Sequence, residues 1–133
     1  MKAWSLRDQT TKYDIKHGGE VYDFVIGWKG SSFENQIVTI SWDQTCRLSD
    51  LETGDEVSRI KLGSYCRSLA VDRTGSVIVV GTDDNNVTFI DTTTFEIIKQ
   101  ISVGSSIYSL AFNRRNDALL AVSKTGQVYS FKF

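Results

Sequence analysis

Short apolar runs separated by polar turn residues recur along the whole chain. Ile37-Val38-Thr39-Ile40, Val77-Ile78-Val79-Val80 and Ala118-Leu119-Leu120-Ala121-Val122 are β-branched or aliphatic blocks of strand length. Ahead of each stands an alternating segment: Val21 to Ile26, Cys66 to Val71 and Ile107 to Phe112. Behind each comes a tight-turn signal, Asp43-Gln44, Asp84-Asn85-Asn86 or Thr125-Gly126, and then another strand-like stretch. No window carries the 3.6-residue period of an amphipathic helix, so the pattern predicts an all-β chain.

The blocks recur in register. Thr45 to Gly54 matches Val87 to Phe95, and both match the opening Lys2 to Asp8 and the closing Val128 to Lys132. With Ser5, Asp50, Asp91 and Lys132 as equivalents, the intervals are 45, 41 and 41 residues. The Gly/Ser-containing insert Gly27 to Asn35, which carries Trp28 and Phe33, lengthens the first. Four short strands in a period of this size are the signature of a β-propeller blade. The predicted division is partial strands over 1–15, a blade over 16–62, a blade over 63–101 and a three-stranded last blade over 102–133.

At these positions the chain resembles the WD-repeat family. Ser49-Asp50-Leu51-Glu52-Thr53-Gly54 stands where the family has Trp-Asp and its following turn; Ile90-Asp91 keeps the aspartate, and Asp43 and Asp84 match the turn aspartates. Lys16-His17 stands in place of Gly-His, and Ser68 to Gly75 and Ser109 to Arg115 resemble the innermost strand and its turn. The match departs from the family at Trp4-Ser5 and Phe131-Lys132, and only His17 keeps the family's histidine. The resemblance implies antiparallel four-stranded blades, about three in this chain. It also implies a partial hydrogen-bonded tetrad from His17, Asp43 and Thr39 or Ser41, with Ser49 in place of the indole. His17, Asp43 and Asp84 are thus expected to be structural turn residues.

For function, the resemblance implies a non-enzymatic scaffold that binds a partner peptide or subunit and needs no cofactor. The second and third positions of the innermost strands, Tyr22 and Asp23, Arg67 and Ser68, Tyr108 and Ser109, are the expected contact residues. Tyr and Arg suit such contacts because they join large area to a polar end. Trp28 and Phe33 offer either a second aromatic contact or a cap on the lower edge. The alternative is a propeller enzyme or small-ligand binder working in the central channel.

Three blades leave two apolar faces without neighbours, and propellers usually close with four to eight blades. A larger propeller, a second polypeptide or a second copy is therefore expected to complete the ring. In a head-to-tail dimer, Thr11-Lys12-Tyr13-Asp14-Ile15 of one copy would pair beside Ser130 to Phe133 of the other and close six blades.

Composition narrows the chemistry. In 133 residues, 15 Lys and Arg face 16 Asp and Glu, a net charge of −1, which makes nucleic-acid binding through Arg114-Arg115 and Lys124 an unfavourable reading. One histidine, two cysteines without a CxxC partner and no phosphate-loop motif argue against metal, Cys-His and nucleotide chemistry. Asp83-Asp84-Asn85-Asn86 lacks the ligand spacing of a calcium loop and reads as a turn. Cys46 and Cys66 read as buried, reduced thiols. The opening residues have no apolar leader core and no apolar run is long enough to span a bilayer. An intracellular, cytoplasmic or nuclear, protein is expected, in which Asn86-Val87-Thr88 is not a glycosylation site.

Overall fold

The structure is a computed structural model that describes residues 1–5 and 10–132 of the chain, with the side chains of 3–13 left aside. Leu6, Arg7 and Asp8, which open the repeat pattern, lie outside the described residues, as does Phe133, named at the expected dimer seam. Thirteen strands and no helix are found among the described residues.

β1 (Lys2–Ser5) and β2 (Thr10–Asp14) form a two-stranded antiparallel sheet. β3 (Val21–Ile26), β4 (Gln36–Ser41), β5 (Thr45–Asp50) and β6 (Glu56–Lys61) follow as a four-stranded meander in chain order. β7 (Cys66–Val71), β8 (Val77–Thr82), β9 (Asn86–Asp91) and β10 (Glu96–Ser102) repeat it. β11 (Ile107–Phe112), β12 (Ala118–Ser123) and β13 (Val128–Lys132) make a sheet of three.

The three larger sheets share their local geometry as well as their order. The third residue of each turn after the second strand is left-handed: Gln44 at φ 71°, Asn85 at 70° and Gly126 at 84°. Each innermost strand also carries an irregularity at the same place, between Val21 and Asp23, Cys66 and Ser68, and Ile107 and Ser109. The extra residue in each case is Tyr22, Arg67 or Tyr108. A bulge leaves its residue out of the ladder and re-aims the side chain.

The sheets pack face to face through two apolar layers. Val38, Ile40, Cys46 and Leu48 of the first four-stranded sheet meet Cys66, Leu69, Ile78, Val80 and Ile90 of the second, with Phe33 and Leu62 in the same cluster. Val79, Val87 and Phe89 of the second meet Ile107, Leu110 and Leu119 of the three-stranded sheet. Each such fully buried aliphatic side chain contributes about 1.5–3 kcal/mol of transfer free energy. Because successive side chains point to opposite faces, the unbroken burial along the central strands β4, β8 and β9 means that both their faces are covered, whereas β6 and β10 at the rim are mostly exposed. At the seam between the second and third sheets, Gly81 leaves room for Ser68, whose hydroxyl donates to the Ile107 carbonyl at 3.0 Å.

At the two ends of the stack, apolar side chains stay open. Phe24 and Ile26 of β3 are exposed at one end, and Leu120, Val122 and Val128 of the three-stranded sheet at the other.

Candidate functional site

Three backbone hydrogen bonds, one per sheet, build the face above the turns. The Trp42 N–H donates to the Glu20 carbonyl at 2.9 Å, that of Asp83 to Tyr65 at 3.0 Å and that of Lys124 to Ser106 at 2.9 Å. Each ties the turn after a sheet's second strand to the residue just before its first. Side chains from both segments, with the bulged residue between them, therefore stand together at one end of the strands.

At the centre of this face, Tyr22, Trp42 and Tyr65 form a continuous stack, with ring centroids 5.0 Å apart for Tyr22 and Trp42 and 5.3 Å for Trp42 and Tyr65. The Arg67 guanidinium lies 5.0 Å from the Tyr108 ring, 5.5 Å from Trp42 and 5.9 Å from Tyr22, within the range of cation–π attraction. Its Nε donates to Asp83 Oδ1, and this bond holds the guanidinium even more firmly protonated than usual, against the opposing effect of burial. The rings remain accessible: Tyr22 is 39% exposed, and Tyr65 and Tyr108 are each 46% exposed. A fixed cation, its counter-ion and half-open rings make a rigid amphipathic surface suited to contact with another molecule.

Of the residues nominated by spacing, Tyr22, Arg67 and Tyr108 converge here. Asp23 is exposed and its carboxylate accepts from the neighbouring Phe24 N–H at 2.8 Å, and Ser109 is exposed on β11. Ser68 is 3% exposed and bonded across the seam between sheets, so it cannot be presented to a partner. The bulge explains the difference, because the ladder resumes at Ser68 and turns its side chain toward the next sheet. Trp42, Tyr65 and Asp83 were not nominated by spacing. The signal for them lies one position before each turn aspartate, where Trp42 and Asp83 stand, and one before each innermost strand, where Tyr65 stands.

His17, Asp43 and Thr39 form a closed network under the same end of the first four-stranded sheet. His17 has no exposed side-chain surface; Nε2 lies 2.6 Å from Thr39 Oγ1 and Nδ1 lies 3.1 Å from Asp43 Oδ2. Burial and the nearby Arg47 charge push the His17 pKa down, outweighing Asp43. The ring is therefore neutral at pH 7, donating from Nδ1 and accepting the Thr39 hydroxyl proton at Nε2. Burial alone would raise the Asp43 pKa, but hydrogen bonds from the Thr45 hydroxyl and the Gly18 and Thr45 N–H groups bring it to about 2. Arg47 completes the set with an ion pair to Asp43 at 2.6 Å. Ser41 instead accepts from the Asp43 N–H at 3.0 Å. In the next sheet Asp84 accepts a hydrogen bond from the Thr82 hydroxyl. These groups organise turns.

The remaining sequence features fall elsewhere. Phe33 belongs to the core while Trp28 is 38% exposed and meets it edge to face at 5.5 Å. Arg114 and Arg115 precede β12 and Lys124 follows it, so the three basic residues stand at opposite ends of a strand and form no common patch. Cys46 and Cys66 are free and buried. Among the described residues no group of acidic, histidine or cysteine side chains has the arrangement of a metal site, and no helix is long and apolar enough to cross a membrane.

Comparison with known proteins agrees with the fold. Residues 56–115, just under half of the chain, match the anaphase-promoting complex subunit 4 WD40 domain. In shape, the chain is similar to the computationally designed Ika4 protein, with a TM-score of 0.79 and 19% sequence identity over 99% of this chain and 78% of that one. In all, 1113 solved chains match its shape, so the likeness bears on architecture alone. No curated protein is similar to it in sequence. The register of the strands and the likeness in shape give the chain the architecture of β-propeller blades, and its residues 56–115 are similar to a WD40 domain.

Proposed function

We propose that the chain is a non-enzymatic interaction scaffold that binds a protein or peptide partner on the face formed by Tyr22, Trp42, Tyr65, Arg67 and Tyr108. The observation that carries this reading is Arg67, held by Asp83 and flanked by three rings that stay partly open. Aromatic and arginine side chains dominate the energetics of protein interfaces. Here their ordering cost is met within the folded chain, which leaves more of the contact energy for the partner. The open apolar ends of the stack, Phe24 and Ile26 at one and Leu120, Val122 and Val128 at the other, support a further expectation. Further blades, from a larger propeller, a second polypeptide or a second copy, cover them and complete the ring. The two free, buried cysteines suit a reducing, intracellular setting.

The test is affinity capture with the parent and with Trp42→Ala and Arg67→Ala. Each variant is checked for an unchanged circular dichroism spectrum and melting temperature. The proposal expects the captured partner to fall at least tenfold with either variant. Undiminished capture by both would overturn it.

A further inference from the structure

We infer that a cleft at the seam between the second and third sheets, at the end of the strands opposite the aromatic face, binds a small phosphate monoester. The cleft encloses about 520 Å³ and is lined, among the described residues, by Val71, Arg73, Phe112, Asn113, Arg114 and Asn116. A volume of this size suits a small ligand. Arg73 and Arg114 stand one repeat apart, each the second residue beyond its sheet's innermost strand, so the fold sets two guanidinium groups on the banks of one seam. In the first sheet that position holds Trp28, and the insert around it presses on the second sheet, where a Cβ built on Gly75 would lie 2.8 Å from the Ser31 Cβ. The insert therefore fills the place that corresponds to the cleft.

Charge and free donors point to the occupant. Among the described residues the arginines in ion pairs are Arg47, Arg59 and Arg67, and neither Arg73 nor Arg114 has a carboxylate within reach. The acids beside them in sequence are engaged. Asp72 is 8% exposed and accepts from the Thr74 hydroxyl at 2.7 Å and the Val77 N–H at 2.9 Å, and Asp117 accepts from the Asn113 amide at 2.6 Å. Arg73 is tied to the facing turn, its N–H donating to Asn116 Oδ1 at 2.9 Å and its Nη1 to the Arg114 carbonyl at 3.4 Å. Its Nε and Nη2, and the whole Arg114 guanidinium, remain for a ligand. Two guanidinium forks match the charge and three terminal oxygens of a phosphate dianion better than the single charge and two oxygens of a carboxylate. Val71 and Phe112 supply an apolar wall for the organic part of the ester. The cleft lies between two sheets that the chain itself supplies, so the site stands whether or not the aromatic face binds a partner.

Phenyl phosphate is the probe, titrated into the full chain and read by calorimetry. The expected result is saturable one-to-one binding, with inorganic phosphate at least threefold weaker and benzoate at least tenfold weaker. Affinity should fall as pH drops from 7 to 5, because the phosphate takes up its second proton near pH 6. Arg73→Gln and Arg114→Gln, both at exposed positions, should each weaken binding at least fivefold. Arg115→Gln, whose side chain lines a neighbouring cavity with Lys132, should leave it within twofold. Absence of saturable binding overturns the inference, and so does an Arg115 variant as weak as the Arg73 variant, which would mark a diffuse attraction of charge. Benzoate or inorganic phosphate binding as tightly as phenyl phosphate also contradicts it. A short phosphoserine peptide that binds at least tenfold tighter than phenyl phosphate would assign the cleft to a polypeptide and overturn it as well.

Discussion

Substituting Gly81 by alanine tests the packing of the second sheet on the third at its tightest point. A Cβ built on Gly81 lies 2.8 Å from the Ile107 Cβ and closer still to the Ser68 Oγ. Neither neighbour has free space, since Ile107 is fully buried and Ser68 is 3% exposed. Relief requires the sheets to part or Ser68 to give up its bond to the Ile107 carbonyl. Overpacking of this kind costs about 1–3 kcal/mol and the lost hydrogen bond about 1 kcal/mol. The stiffer unfolded chain of an alanine variant offsets about 0.4–1 kcal/mol. The net expectation is a loss of about 1–3 kcal/mol, read by urea unfolding of the parent and of Gly81→Ala, Ser68→Ala and the double variant. Removing the Ser68 hydroxyl relieves the closest contact, so the double variant should be more stable than the sum of the singles predicts, by at least about 0.5 kcal/mol. An alanine variant as stable as the parent, or strictly additive singles, would refute the seam as described.

Acid should destabilise the protein in two stages. His17 has a folded pKa below its ordinary 6.5, so stability is full above that value and falls as pH drops through it, because the unfolded chain takes the proton first. Asp43 is depressed from 3.8 to about 2, so its contribution, at most about 2 kcal/mol, is present above pH 4 and lost between about 4 and 2. Unfolding free energy measured against pH should lose the first stage in His17→Gln and the second in Asp43→Asn; a parent curve without either stage contradicts the network. Burial raises the thiol pKa of Cys46, and lifts that of Cys66 to about 12, so neither thiol should react with Ellman's reagent at pH 8 until denaturant is added. Rapid labelling of the native chain would contradict their burial. Gln44 holds a left-handed backbone at φ 71°, where Gly126 stands in the third sheet, so Gln44→Gly should raise stability by about 0.5–1 kcal/mol in thermal melts. A drop would show that its side chain matters more than its backbone.

Strand positions were legible because a sheet buried on both faces demands unbroken aliphatic blocks, as in Ile78-Val79-Val80, and turns demand Asp, Asn or Gly at fixed offsets. The same periodicity brought Tyr22, Arg67 and Tyr108 into one class. It did not show that a bulge at each of them separates their fate from that of the next residue, which is why Ser68 is sealed between sheets while Arg67 is not. Trp42, Tyr65 and Asp83 were hidden for another reason. They lie outside the strands, and what brings them together is a backbone bond between loops more than twenty residues apart or nearly so, such as Trp42 to Glu20 and Asp83 to Tyr65. Alternation within a strand carries no trace of such a bond. Trp28 and Phe33 show the converse, since one insert sends one ring into the core and leaves the other open.

The account depends most on the aromatic and arginine face being the surface a partner touches. Site-specific photo-crosslinking addresses it directly, with a photoreactive side chain placed at Tyr65 on that face or at Asn116, the left-handed turn residue at the opposite end of the strands. The account predicts a discrete crosslinked partner from position 65 and none from position 116. A partner trapped from position 116 alone would contradict it.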